Sequence, residues 1–125
     1  MILNTGKVKF DVEFDNGDKD AVYFNPSDPD LLIRVTKVKD NLRARFKEMD
    51  DVELDDRGTP TDPAKIKLFT EMRNIFFEEF DRAVGGEVSK VFFKHCSPFA
   101  LVRDHFFVSD VVDFIAEAIR QANKK

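Results

Sequence analysis

Few side chains in this chain could do chemistry, and they are scattered. His95, Cys96 and His105 are the soft metal ligands. A structural zinc site takes four such ligands in paired short spacings. Here His95 and Cys96 are adjacent and a fourth ligand is lacking, so no metal site is expected. A Cys–His catalytic pair needs a third group to orient the base. Neither that group nor a glycine-rich nucleophile turn surrounds Cys96, which reads instead as a buried structural cysteine. "DNGDKD" suggests calcium until it is aligned with an EF-hand loop, which needs glycine at position six and glutamate at twelve. Counting from Asn16, those places hold Ala21 and Ser27, so the stretch reads as a polar hairpin turn. Gly85-Gly86 is followed by Glu87 rather than the Lys-Ser/Thr of a phosphate loop. The acidic run Asp50, Asp51, Glu53, Asp55, Asp56 falls at a helix C-terminal end, where the dipole disfavours it. It reads as a frayed acidic loop, with docking of a basic partner as the functional alternative. No catalytic or cofactor-binding residue is assigned, and the chain is not expected to be an enzyme.

Composition narrows the class. The 125 residues form one expected domain, 1–125, long enough to bury a core. A net charge of −4 disfavours nucleic acid, whose binders need a dominant basic surface. No apolar run is long enough to span a membrane, and the N-terminal residues do not read as a signal peptide. A lone cysteine suits a reducing cytoplasm. With 14 Phe, one Tyr and no Trp, the chain relies on rings that can only pack.

The elements that would position these residues follow from periodicity. "KVKFDVEFD" alternates, setting Val8, Phe10, Val12 and Phe14 on one face against Lys9, Asp11 and Glu13 on the other. With "AVYFN" it predicts a β-hairpin over 7–25. An odd-length loop aligning Val12 with Val22 and Phe10 with Phe24 keeps the apolar faces together. Asn25-Pro26 ends the strand, and Ser27 reads as the cap of a helix over about 28–53. Its inward stripe is Leu31, Val35, Val38, Leu42, Phe46, Met49 and Val52, with Arg34, Lys37, Lys39, Arg43, Arg45 and Lys47 solvated. A linker over 55–62 leads to a helix over 63–84, opened by Asp62-Pro63 and stopped by Gly85-Gly86. Ile66, Phe69, Met72, Arg73, Phe76, Phe80 and Val84 follow at helical spacing. A short helix over 87–95 and a final one over 109–122, capped by Ser109, complete the chain. The final helix is expected to turn Val111, Val112, Ile115, Ala118, Ile119 and Ala122 inward. The predicted class is α+β: an N-terminal hairpin packed on a bundle of about four helices.

Several rings fall off these stripes. Phe77 lies off the 63–84 face, Phe93 lies off the Val88–Val91–Phe92 face, and Phe106-Phe107 sit where no period is clean. At least two of these four are expected to contribute to an exposed apolar patch, used for a client helix or for self-association.

The order of elements carries a resemblance. A strand ending in Phe24-Asn25-Pro26, with Asp28 close behind, runs into the first helix. Near the other end, Gly85-Gly86 leads to Val91-Phe92-Phe93 and to a closing apolar helix, Val111 to Ile119. Across residues 7–120 this resembles the tail assembly chaperones of long-tailed (siphovirus-like) bacteriophages and prophages. The loop "HCSPFALVRDHF" departs from that pattern, with less small-residue content than expected and no glycine. The resemblance implies a non-enzymatic protein of the bacterial host cytoplasm, left out of the mature virion. Its partners would be the tape-measure protein and tail tube subunits, with a homo-oligomer possible. The alternatives are a virion structural protein (a tail tube or tail-completion subunit) or another small protein-binding module.

Overall fold

The computed structural model describes residues 1–48, 52–55 and 57–124. It is α+β: an N-terminal antiparallel hairpin followed by four helices. Strands β1 (Val8–Glu13) and β2 (Lys19–Phe24) form the hairpin. The Phe14 N–H donates to the Asp18 carbonyl at 2.9 Å and the Gly17 N–H to the Phe14 carbonyl at 3.0 Å. Gly17, at φ +88°, thus closes an odd-length loop in the left-handed region. The loop parity matches the sequence expectation, but the register is shifted. Phe10 faces Val22, Val12 faces Asp20 and Val8 faces Phe24. Gly17 takes the last loop position, where a positive φ is needed, rather than the middle one. Because the shift is even, the apolar side chains keep their common face. Val12, Val22 and Phe24 are buried, and half-buried Phe10 stacks diagonally on Phe24 with centroids 4.3 Å apart.

The first helix, α1 (Leu31–Glu48), starts later than 28, and Ser27 is not its cap. The Asn25 side chain accepts from the Ser27 N–H, and Asp28 accepts from the Asp30 N–H. These local turns compete with helix and win until Leu31. Leu31, Val35 and Leu42 are buried, while Val38 and Phe46 are half-buried. Met49, Asp50, Asp51 and Asp56 lie outside the described residues, and Val52 falls beyond the helix. Two cations expected in solvent instead tie helices together. Arg34 bonds the Asp28 carboxylate and the Ala83 carbonyl, and Arg45 bonds Glu79 through both carboxylate oxygens.

The linker folds back on itself through a bridge between Leu54 and Pro60. Gly58 inside it has φ +78°, and a Cβ there would sit 2.6 Å from the Ala100 nitrogen. Helix α2 (Pro63–Val84) has the expected bounds. Asp62 caps it by accepting from Ala64, and Gly85 ends it at φ +91°. Phe69, Met72, Phe76, Phe80, Ala83 and Val84 are buried, but Ile66 is 41 % exposed, outside the stripe assigned to it.

The third helix, α3 (Ser89–Phe92), is a single turn rather than 87–95. The Asp81 carboxylate accepts from the Val88 and Ser89 N–H groups. Next comes a small hairpin absent from the sequence reading, β3 (Leu101–Val102) with β4 (His105–Phe106). Its two loop residues, Arg103 and Asp104, both have positive φ. Helix α4 (Phe107–Ala122) starts before Ser109, which lies inside it. Its first amides are satisfied by backbone: Phe107 N–H donates to the Ala100 carbonyl and Val108 N–H to the Pro98 carbonyl. Val111, Val112 and Ile115 are buried, Ala118 and Ile119 half-buried, and Ala122 is exposed.

The hairpin packing gives a graded expectation. Phe24→Ala should cost about 3–5 kcal/mol, as for other fully buried rings, and Phe10→Ala clearly less because one side of its ring is open. Gly58→Ala should cost on the order of 1–3 kcal/mol, since it adds a strained φ to a backbone clash. Urea unfolding of the three variants checks the order. Phe10→Ala proving as costly as Phe24→Ala would contradict the half-burial of Phe10.

Candidate protein-binding surface

The residues with reactive side chains are used to tie elements together. His95 Nε2 lies 2.7 Å from Asp18 Oδ2, and Lys94 Nζ lies 2.8 Å from both Asp18 and Asp20. The Lys94 ammonium also sits 5.4 Å from the centre of the Phe14 ring, which meets His95 edge-on at 4.8 Å. This cluster latches the hairpin tip onto the turn after α3. His105 is paired elsewhere, its Nε2 lying 2.6 Å from Asp110 Oδ1. Burial, reinforced by the charges of Asp15 and Asp110, pushes the Cys96 thiol up, away from nucleophilic thiolate. Among the described residues no group of three or more His, Cys, Asp or Glu is arranged to hold a metal ion. Asp55, from the acidic run, spends its carboxylate on the Arg57 and Thr59 N–H groups.

The four off-stripe rings divide into two groups. Phe77 stacks on Phe93 at 5.5 Å, and Phe93 meets Phe107 at 5.9 Å, over the buried rings of Phe76 and Phe80. The Arg73 guanidinium lies 5.9 Å from the Phe77 ring centre. Phe106 joins a different cluster, with Phe46 at 5.4 Å and Phe99 at 5.7 Å. All four rings are half-buried and packed against the core.

Tyr23 apart, the openly exposed large apolar groups are not rings, and sequence reasoning passed over two of them on α2. Leu68 is 54 % exposed and Ile75 48 % exposed. Two helical turns (seven residues) apart, they share a face of α2, with the buried Met72 between them. Together with Arg45, Glu48 and Glu71 they line an open cleft of about 360 Å³ beside the end of α1. A signal for them existed, because α2 carries more apolar residues than one stripe can hold. Leu32 and Ile33 make a second exposed pair near the start of α1, beside Pro29 and Thr36.

Ion pairing at the hairpin tip has a pH signature. The hydrogen bond from Lys94, followed by that from His95, lowers the Asp18 carboxyl from 3.8 to about 2. A carboxylate depressed by folding stabilises the fold above its ordinary value, and loses that contribution as pH falls from 3.8 through about 2. An NMR titration of the Asp18 carboxyl is expected to show a midpoint near 2, moving back towards the ordinary value in Lys94→Met. A wild-type midpoint at the ordinary value would show that the latch does not form in solution. Comparison with known proteins adds no relative: no family model, curated protein or solved structure matches this chain.

Proposed function

We propose that this protein is a tail assembly chaperone, a non-enzymatic module that holds an apolar helical client. The proposed client is the tape-measure protein, kept soluble in the host cytoplasm while tube subunits assemble. The observation that carries the reading is the exposed aliphatic pair Leu68 and Ile75 on α2, set either side of the buried Met72 and flanked by Arg45, Glu48 and Glu71. An amphipathic client helix presents its apolar groups along one face, and an apolar strip with a charged rim suits it. The half-buried rings of Phe77, Phe93 and Phe107 offer a second apolar contact, with Phe106 apart from them. The order of elements supports the reading too, with Phe24-Asn25-Pro26 leading from strand to helix.

A virion structural subunit is the second reading, favoured by the outer edge of β1, which pairs with no strand among the described residues, since ring-forming subunits join through sheet edges. Mass spectrometry of purified particles separates the two: abundant copies support the structural subunit, and absence supports the chaperone.

Co-expression with the tape-measure protein tests the client directly. A soluble complex is expected from the wild type. Leu68→Asp and Ile75→Asp should each weaken capture by roughly ten-fold or more, the loss that follows from leaving one aliphatic contact unmade. Phe77→Ser and Phe93→Ser report separately on the ring cluster. Capture unchanged in all four folded variants would remove both surfaces as the binding site.

A further inference from the structure

We propose that the protein self-associates as a two-fold dimer through the outer edge of β1, placing two copies of that strand side by side and antiparallel. Among the described residues β1 pairs with β2 alone. The bond from the Phe14 N–H to the Asp18 carbonyl sets the parity of the ladder. In antiparallel pairing, facing residues alternate between exchanging backbone hydrogen bonds and not. Val8, Phe10 and Val12 therefore bond across to β2, while Lys9, Asp11 and Glu13 turn their N–H and C=O groups outward. Lys7, Lys9, Asp11 and Glu13 are all exposed.

Charge complementarity favours a second copy as the occupant. The segment reads Lys7-Val8-Lys9-Phe10-Asp11-Val12-Glu13, with cations before Phe10 and anions after it. Turned antiparallel about Phe10, Lys9 faces Asp11 of the second copy and Lys7 faces its Glu13. Each of these contacts occurs twice by symmetry. Phe10 faces Phe10 and Val8 faces Val12, in the closer, non-bonded positions where side chains touch. The backbone parity agrees, since the residues brought together for hydrogen bonding are those whose amide groups point outward.

Neighbouring registers are worse. Centring the pair on Asp11 sets Asp11 against Asp11, and centring it on Lys9 sets Lys9 against Lys9. Charges on an edge strand commonly prevent such pairing. Here their order favours it in one register and opposes it in the next. The second copy would also cover Val8, now 46 % exposed, and the open side of Phe10. The interface is small, so the dimer should be reversible and weakened by salt.

The test is sedimentation of the full chain over a range of concentration, with circular dichroism to confirm that each variant folds. The wild type should move from monomer to dimer as concentration rises, and salt should oppose the shift. Lys7→Glu with Lys9→Glu makes the strand acidic throughout, and Asp11→Lys with Glu13→Lys makes it basic throughout. Each doubly substituted chain alone should dimerise about ten-fold or more weakly than wild type, because four facing pairs become repulsive. Mixed together, the two should form a heterodimer. A wild type that stays monomeric at every concentration would overturn the proposal. So would reversed chains that dimerise as tightly alone as mixed.

Discussion

The turn from strand to helix at Phe24–Asp28 is the constraint on which the other elements depend. Phe24 is fully buried beneath the hairpin. Asn25 folds its side chain back onto Ser27, and the Pro26 carbonyl accepts from Asn123 at the end of α4. Asp28 holds Arg34, which donates in turn to the Ala83 carbonyl at the C-terminal end of α2. Five residues thus fix the hairpin, the start of α1, the end of α2 and the end of α4 relative to one another. Arg34 is well placed for that task, because the last carbonyls of a helix lack partners and carry partial negative charge. Hydrogen bonding to Arg34 holds the Asp28 carboxyl below the usual carboxylate range, which keeps the link ionised.

Where local chemistry and tertiary packing agree, the sequence is readable. Asp62-Pro63 and Gly85-Gly86 set the bounds of α2 because a capping carboxylate, a proline tolerant of the first turn and a left-handed glycine each act locally. The apolar face of the hairpin follows from alternation alone. What escaped reading was imposed from a distance. Arg103 and Asp104 carry no glycine or asparagine to announce two positive φ angles. Their turn forms because Phe107 and Val108 donate to the Ala100 and Pro98 carbonyls, which fixes both ends of the segment. The exposed pair on α2, Leu68 and Ile75, was hidden for a different reason. Periodicity identifies apolar residues but does not say which of two overlapping stripes will face the core.

The same limit applies to β1. Its charge order is plain in the sequence, yet it has meaning only if one edge of the strand is unpaired. That depends on the hairpin remaining two-stranded, which no local signal determines. The ladder parity set at Phe14 and Asp18 then decides which amides face outward. The turn at Gly17, by choosing the register, also chooses which side chains would flank a second copy.

The excess of phenylalanine bears on how the surface should be read. A Phe ring has no polar atom to satisfy, so it can sit at any depth without leaving a hydrogen bond unmade. Phe77, Phe93 and Phe107 each lean on other rings, and the Arg73 guanidinium sits near the outer one. Edge and face contacts of this kind stabilise a half-buried ring within the chain itself. Half-burial of an aromatic cluster therefore does not by itself require a partner. Leu68 and Ile75 have no such compensation: about half of each side chain is in water on a helix whose other stripe already fills the core. Apolar surface left open in this way points outward to a binding role more strongly than the rings do.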